Sequence, residues 1–278
     1  MKNWTRAFAL LAAAALGACT TVNTTAPGAV GIAREQSFLV SAEAVQSAAG
    51  QSYAKTLTDG RAKGVVNNKP VMLARVQAVS RRLIAQVGAF RPDAPSWNWE
   101  INVMDTPEIN AWCMAGGKIM VYSGLIDKLQ PSDAELAALL GHEIAHALRE
   151  HTREAVSRSV GQQLVLTGLA AATGASQSTV QIANAVAQVT YSLPHGREQE
   201  TEADRMGLEL MARAGYEPRA AVTFFQKLAR ASPSKGPSWL STHPQSEARA
   251  ADLQAYIARV EPLYKASAKE LRMLMIDP

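Results

Sequence analysis

The chain has 278 residues, 47% hydrophobic and 19% charged, enough for one sizeable core or two small ones. Its formal net charge is +4, and loss of a leader carrying Lys2 and Arg6 but no acid leaves +4 − 2 = +2. So small an excess argues against a nucleic-acid partner, and two cysteines, Cys19 and Cys113, exclude a disulfide framework.

Residues 1–18 read as an export signal: a basic start, then an apolar run from Ala7 to Leu16 that is short for a bilayer span. The run ends in Leu16-Gly17-Ala18-Cys19. This resembles the lipobox of bacterial lipoproteins, which implies lipidation of Cys19 and a membrane anchor. Thr20, rather than Asp, after the cysteine favours the outer membrane, with the chain on its periplasmic side. Residues 19–32, rich in Thr, Ala, Pro and Gly, are expected to be a tether. Residues 33–278 then form a single domain.

Within it, 33–58 is expected to be helical, around Phe38, Val45 and Leu57. Val71 to Val87 predicts an amphipathic helix with Leu73, Val76, Val79, Leu83 and Ile84 inward. Trp97, Trp99, Ile101 and Val103 alternate with polar residues, as in a half-buried strand. Asn110 to Gly117 reads as a turn and Lys118 to Ser123 as a second strand. An edge of that sheet either supports the core or holds a peptide by strand addition. Cys113 reads as a small buried hydrophobe.

Ser132-Asp133-Ala134-Glu135 predicts a capping box, and Ala137, Leu140, Ile144 and Leu148 recur at helical spacing behind it. This helix carries His142-Glu143-Ile144-Ala145-His146. Residues four apart share a helix face, so both imidazoles can reach one zinc ion, with Glu143 beside them as the base. His151 is nine residues beyond His142, on the opposite face of a continuing helix. It is expected to bond a carbonyl or carboxylate instead. Val160 to Leu193, split at 174–178, reads as a buried helical hairpin or as a mobile cover; its glutamines exclude a membrane span. The helix from Arg197 to Ala212 carries Glu200 and Asp204 one turn apart. Glu200 is the candidate third ligand, and Asp204 would hold a ligating histidine in its tautomer. Glu202 points elsewhere, solvated or paired with an arginine. His195 reads as a loop residue. Further helices are expected from Pro218 to Arg230 and from Pro244 to near Pro262. His243 is held extended by Pro244, off the helix axis; one reading is that it caps the helix or stabilises an oxyanion.

H-E-x-x-H, then E-x-x-x-D after a helical insert, then Thr242-His243-Pro244, with Asn110-Ala111, Gly116-Gly117 and Gly124-Leu125 upstream, resembles the gluzincin peptidases. These include the CAAX-prenyl endopeptidases, the HtpX-type and the mitochondrial Oma-type proteases; the lipobox points to their periplasmic lipoprotein branch, of the LoiP and BepA types. The resemblance covers about residues 70–260. Its usual Ser before the Glu motif is Gly196 here. It implies an α+β, mainly helical, zincin-like metallopeptidase domain with a small β-sheet before the active-site helix. It also implies one Zn2+ on His142, His146 and Glu200, with Glu143 as base and, in the BepA-like branch, His243 as possible fourth ligand. The expected activity is endopeptidase action on unfolded or misfolded envelope proteins, or else chaperone-like assembly of outer-membrane proteins with little cutting.

Overall fold

The computed structural model describes residues 20–167, 179–231, 238–244 and 247–276. The expected signal and Cys19 lie outside these. At the start, β1 (Thr20–Val22) pairs antiparallel with β2 (Gln36–Phe38). The expected tether is instead packed on the body. Val30 and Ile32 are buried in the main core, and the Val30 N–H donates to Glu209 Oε2 at 3.0 Å. Two lone apolar residues among small polar ones carry no period, which is why composition suggested a tether.

The helix expected over 33–58 is also corrected. Phe38 lies in a strand, and α1 (Ala42–Ala62) starts only after Ser41, whose hydroxyl accepts the Ala44 N–H at 3.2 Å. α2 (Pro70–Ile84) buries Val76, Val79 and Leu83, as its stripe predicts. Next come β3 (Glu100–Met104), β4 (Ala111–Met114) and β5 (Lys118–Tyr122), in the spatial order β3-β5-β4. β3 runs parallel to β5, and β4 antiparallel. β4 occupies half of what reads as a turn. Its four residues are all buried, so no alternation marks them as a strand. The turn itself is shorter, with Gly116 and Gly117 at φ 77 and 81 where other residues are strained.

Helices follow: α3 (Ser123–Leu129), α4 (Asp133–Leu148), α5 (His151–Thr167), α6 (Thr179–Tyr191), α7 (Arg197–Arg213), α8 (Arg219–Arg230), α9 (Ser238–Thr242) and α10 (Glu247–Ile276). The fold is thus α+β and mainly helical, with its small sheet ahead of α4. α4 begins at the expected capping box: Ser132 Oγ accepts from Glu135 N, and Glu135 Oε2 accepts from Ser132 N. It buries Leu136, Leu139, Leu140, Ile144 and Leu148 completely, each contributing about 1.5–3 kcal/mol. It packs between α7, α8, α2 and β4. A second core cluster lies under α1, α5 and α6, with Tyr53, Trp112, Met120 and Val186. α6 packs on α1 and α5 through Ile182, Val186 and Val189 and leaves Gln181, Asn184 and Gln188 exposed; residues 168–178 between α5 and α6 lie outside the described residues. α10 does not stop near Pro262 but continues to Ile276. A mid-helix proline costs about 3 kcal/mol. Burying Val260 and packing Leu263 and Tyr264 on the core offsets it.

Candidate metal centre

α4 and α7 cross at two glycines. A Cβ on Gly207 would sit 2.7 Å from the His142 backbone N, and one on Gly141 would sit 2.9 Å from Gly207 O. Only glycine lets the two backbones approach this closely. The crossing sets Glu200 and Asp204 of α7 opposite His142 and His146 of α4. Gly196 begins α7 without a capping side chain, but Gln199 Oε1 accepts its N–H at 3.1 Å. His243 arrives from the end of α9, its N–H donating to Trp239 O at 3.0 Å.

Four side chains thereby converge. His142 Nε2 is 3.0 Å from His146 Nε2 and 3.2 Å from His243 Nδ1. Glu200 Oε1 is 3.0 Å from His243 Nδ1 and 3.4 Å from His146 Nε2. One ligand atom from each lies within 4.8 Å of the others, and all four residues are buried. Bonds of about 2.0–2.1 Å to a tetrahedral ion place ligand atoms ~3.3 Å apart, so three imidazole nitrogens and one carboxylate at these spacings suit a divalent metal. Glu200 Oε2, the oxygen on the other side of the carboxylate, is buried and ion-paired with Arg249 Nη1 at 2.6 Å.

The surroundings fix the ligand atoms. Asp204 Oδ1 faces His142 Nδ1 at 2.9 Å, the place expected for it, and leaves Nε2 turned to the cluster. Arg249 of α10 grips Asp204 through Nε at 2.6 Å and Nη2 at 2.8 Å. Nothing local marks this arginine in the sequence except its place five residues after Pro244. Burial, then the neighbouring His195, pushes the His146 pKa well below its usual value, which keeps it in the neutral form that binds metal. Burial alone would raise the Glu200 pKa, but His243 and His146 beside it outweigh that and hold it below the usual carboxylate range.

The expected base, Glu143, is 2% exposed. Its Oε1 accepts the Trp239 indole N–H at 2.5 Å and lies 3.6 Å from His243 Nε2. Trp239 stacks on His243 at 4.4 Å between centroids. The 238–244 segment therefore closes over the base.

Two further histidines join the site, so all five in the chain gather here. α4 ends at Leu148, and Glu150 turns left-handed at φ 52. His151 therefore opens a new helix and returns to His146, Nδ1 to Nδ1 at 2.8 Å, instead of facing away. Its Nε2 meets the Glu202 carboxylate at 3.0 Å, in line with the expected carboxylate partner. Glu202 stays out of the ligand cluster and, of its two expected states, takes the paired one: it is buried against Arg34, Arg149 and His151. His195 is more than a loop residue. Its ring lies 4.2 Å from that of His146 and 5.1 Å from that of His243, and burial pushes its pKa down to about 3.

Residues 70–257, well over half of the chain, match peptidase family M48. The chain belongs to that family. It is 36% identical over 173 residues to the mitochondrial metalloendopeptidase OMA1 of Arabidopsis thaliana, covering 61% of this chain and 34% of that one. With the OMA1 metalloendopeptidase of Bos taurus it shares 33% over 204 residues, 69% of this chain and 39% of that one. With the β-barrel assembly-enhancing protease of Escherichia coli K12 it shares 26% over 240 residues, 80% and 45% respectively. The chain thus spans about a third to a half of the length of these curated relatives. M48 membership accounts for a metal site on these elements: the family is one of metalloproteases.

Proposed function

We propose that this chain is a zinc-dependent endopeptidase of the bacterial cell envelope that degrades misfolded or outer-membrane proteins. The observation that carries this is the meeting of His142, His146, Glu200 and His243 with Glu143 at one buried point. In this reading the first three residues are permanent ligands and His243 is a displaceable fourth. A bound divalent ion would supply Lewis acidity, acidifying water and polarising a peptide carbonyl. Glu143 takes the water's proton on its carboxylate and passes it to the leaving amine. Asp204 keeps the His142 proton on Nδ1. β4, an edge of the sheet packed beside α4, would align an extended peptide by main-chain hydrogen bonds.

Purified protein loaded with zinc should cleave an unfolded substrate such as casein. Glu143→Gln should lower the rate by about 10²-fold or more while one zinc per chain remains bound. Equal cleavage by the variant would remove Glu143 from the chemistry. The envelope assignment rests on the lipobox-like Leu16 to Cys19 and on likeness to the assembly-enhancing protease. Among the described residues no helix is long and apolar enough to cross a membrane. In this reading a lipid anchor at Cys19 holds the chain to the outer membrane. Cys19→Ser should release it into the periplasm; a variant still in the membrane fraction would place the anchor elsewhere.

The closed base favours a second reading, a chaperone-like assembly factor that holds outer-membrane clients and seldom cuts. Full rescue of a deletion strain by Glu143→Gln would favour that reading over proteolysis.

A further inference from the structure

His142 has a carboxylate directly behind it, Asp204. His146 does not. Behind His146 Nδ1 stands another imidazole, His151, and the carboxylate comes one step later. The distances are 2.8 Å from His146 Nδ1 to His151 Nδ1 and 3.0 Å from His151 Nε2 to Glu202 Oε2. His151 is fully buried. Glu202 is held by two guanidinium groups: Arg34 Nε and Nη2 each reach it at 2.9 Å, and Arg149 Nη2 at 3.1 Å.

We infer that Glu202 and His151 form a two-step relay that sets which nitrogen of His146 carries its proton. A neutral imidazole has one N–H and one bare nitrogen. A carboxylate paired with two guanidiniums can only accept, so the His151 proton sits on Nε2 and points at Glu202. His151 Nδ1 is then bare and can only accept from His146. The His146 proton is therefore held on Nδ1. Its Nε2 lone pair faces His142 Nε2 at 3.0 Å and Glu200 Oε1 at 3.4 Å, where the ligand atoms converge. Asp204 achieves the same for His142 in one step. Both ligating rings thus end in the tautomer that presents Nε2.

His151 and Glu202 are positioning residues, and their role rests on the reading of His146 as a metal ligand. Arg34 joins the relay from the segment just before β2, so the amino-terminal stretch braces the metal site through Glu202.

The relay predicts how substitutions behave. In Glu202→Gln the amide can donate to His151 Nε2. That moves the His151 proton to Nδ1 and forces the His146 proton onto Nε2, the ligating atom. In His151→Asn an amide oxygen near the old Nδ1 position can still accept from His146. In His151→Leu nothing accepts. The test uses the full chain stripped of metal, with Zn2+ affinity read by competition with a chromophoric chelator. The His146 ring-nitrogen pattern is read in parallel by 15N NMR. Wild type should bind one Zn2+ with the His146 proton on Nδ1. Glu202→Gln and His151→Leu should each lose about 10–100-fold in affinity, whereas His151→Asn should stay within about threefold. In Glu202→Gln the proton should appear on Nε2. Wild-type binding with unchanged affinity in both Glu202→Gln and His151→Leu, or a His146 proton that stays on Nδ1 in Glu202→Gln, overturns the relay alone. Failure of the wild type to bind Zn2+ overturns the ligand set and the relay with it.

Discussion

Glu143 is crowded for the base it is proposed to be. Its Oε1 already accepts the Trp239 N–H, and His243 Nε2 stands 3.6 Å from the same oxygen. A carboxylate oxygen engaged by a buried N–H is a weaker acceptor for another proton. The two residues come from one short segment and stack on each other, so they would leave together. His243→Ala should raise basal peptide cleavage while zinc stays bound through His142, His146 and Glu200. Trp239→Phe keeps the stacked ring and deletes only the donor. It should raise cleavage by about fivefold, the equivalent of ~1 kcal/mol for one hydrogen bond. Steady-state kinetics with zinc content measured alongside would decide. A fall in rate with zinc retained would make both residues aids to the chemistry instead of a cover.

Among elements, the α4–α7 crossing is the most demanding contact. The atoms that a Cβ on Gly207 would strike belong to the α4 backbone and have nowhere to move. Forcing the helices apart would cost about 1–3 kcal/mol and would draw Glu200 away from His142. Gly207→Ala should therefore lower the denaturation midpoint and weaken zinc binding together. Gly50, inside α1 with nothing within 4 Å of its Cβ direction, is the control. Gly50→Ala should stabilise by roughly 0.5–1 kcal/mol through helix propensity and leave zinc binding unchanged. If Gly207→Ala bound zinc as tightly as the wild type, the crossing would not set the site's geometry.

Across the whole molecule, the amino-terminal segment is clamped to the site by charge. Arg34 spans Glu154 of α5 and Glu202 of α7, and Arg149 bonds Asn23 Oδ1 at 2.7 Å and Arg34 O at 2.9 Å. Burial would raise both carboxylates. For Glu154, Arg34, Gln199 and Gln36 outweigh it; for Glu202, His151 and the arginines do. Each pKa falls from 4.5 to about 2. A depressed carboxylate contributes stability above its unfolded pKa, and that stability is lost as pH falls through the folded one. The contribution is thus complete above about pH 4.5 and disappears towards pH 2. Arg34→Met should be less stable than wild type at pH 7, and the gap should close between pH 4.5 and about 2. Urea denaturation of both proteins across that range would show it. A gap that stays constant would mean that Arg34 acts through packing.

How much of this was legible in the sequence depends on how far apart the interacting residues lie. His142, Glu143 and His146 share one helix turn, so their relation follows from 3.6 residues per turn and needs no tertiary structure. The capping box, the stripe of α2 and the pairing of Glu200 with Asp204 on one turn are local in the same way. β4 escaped because a strand buried on both faces has no alternation, and Val30 and Ile32 because two isolated side chains make no pattern. His151 was misplaced by one backbone angle, the left-handed turn at Glu150, which ends α4 and reverses the ring's direction. Arg249, Trp239, His195 and Arg34 acquire their roles only when segments tens to more than a hundred residues away fold against α4 and α7. The sequence by itself determined most of the helical framework and the one-face placing of His142 and His146, because these rest on local periodicity, and its ordered motifs carried the resemblance to the family. The tertiary structure decided which groups orient, cover and brace that chemistry, because those contacts join residues that no local repeat connects.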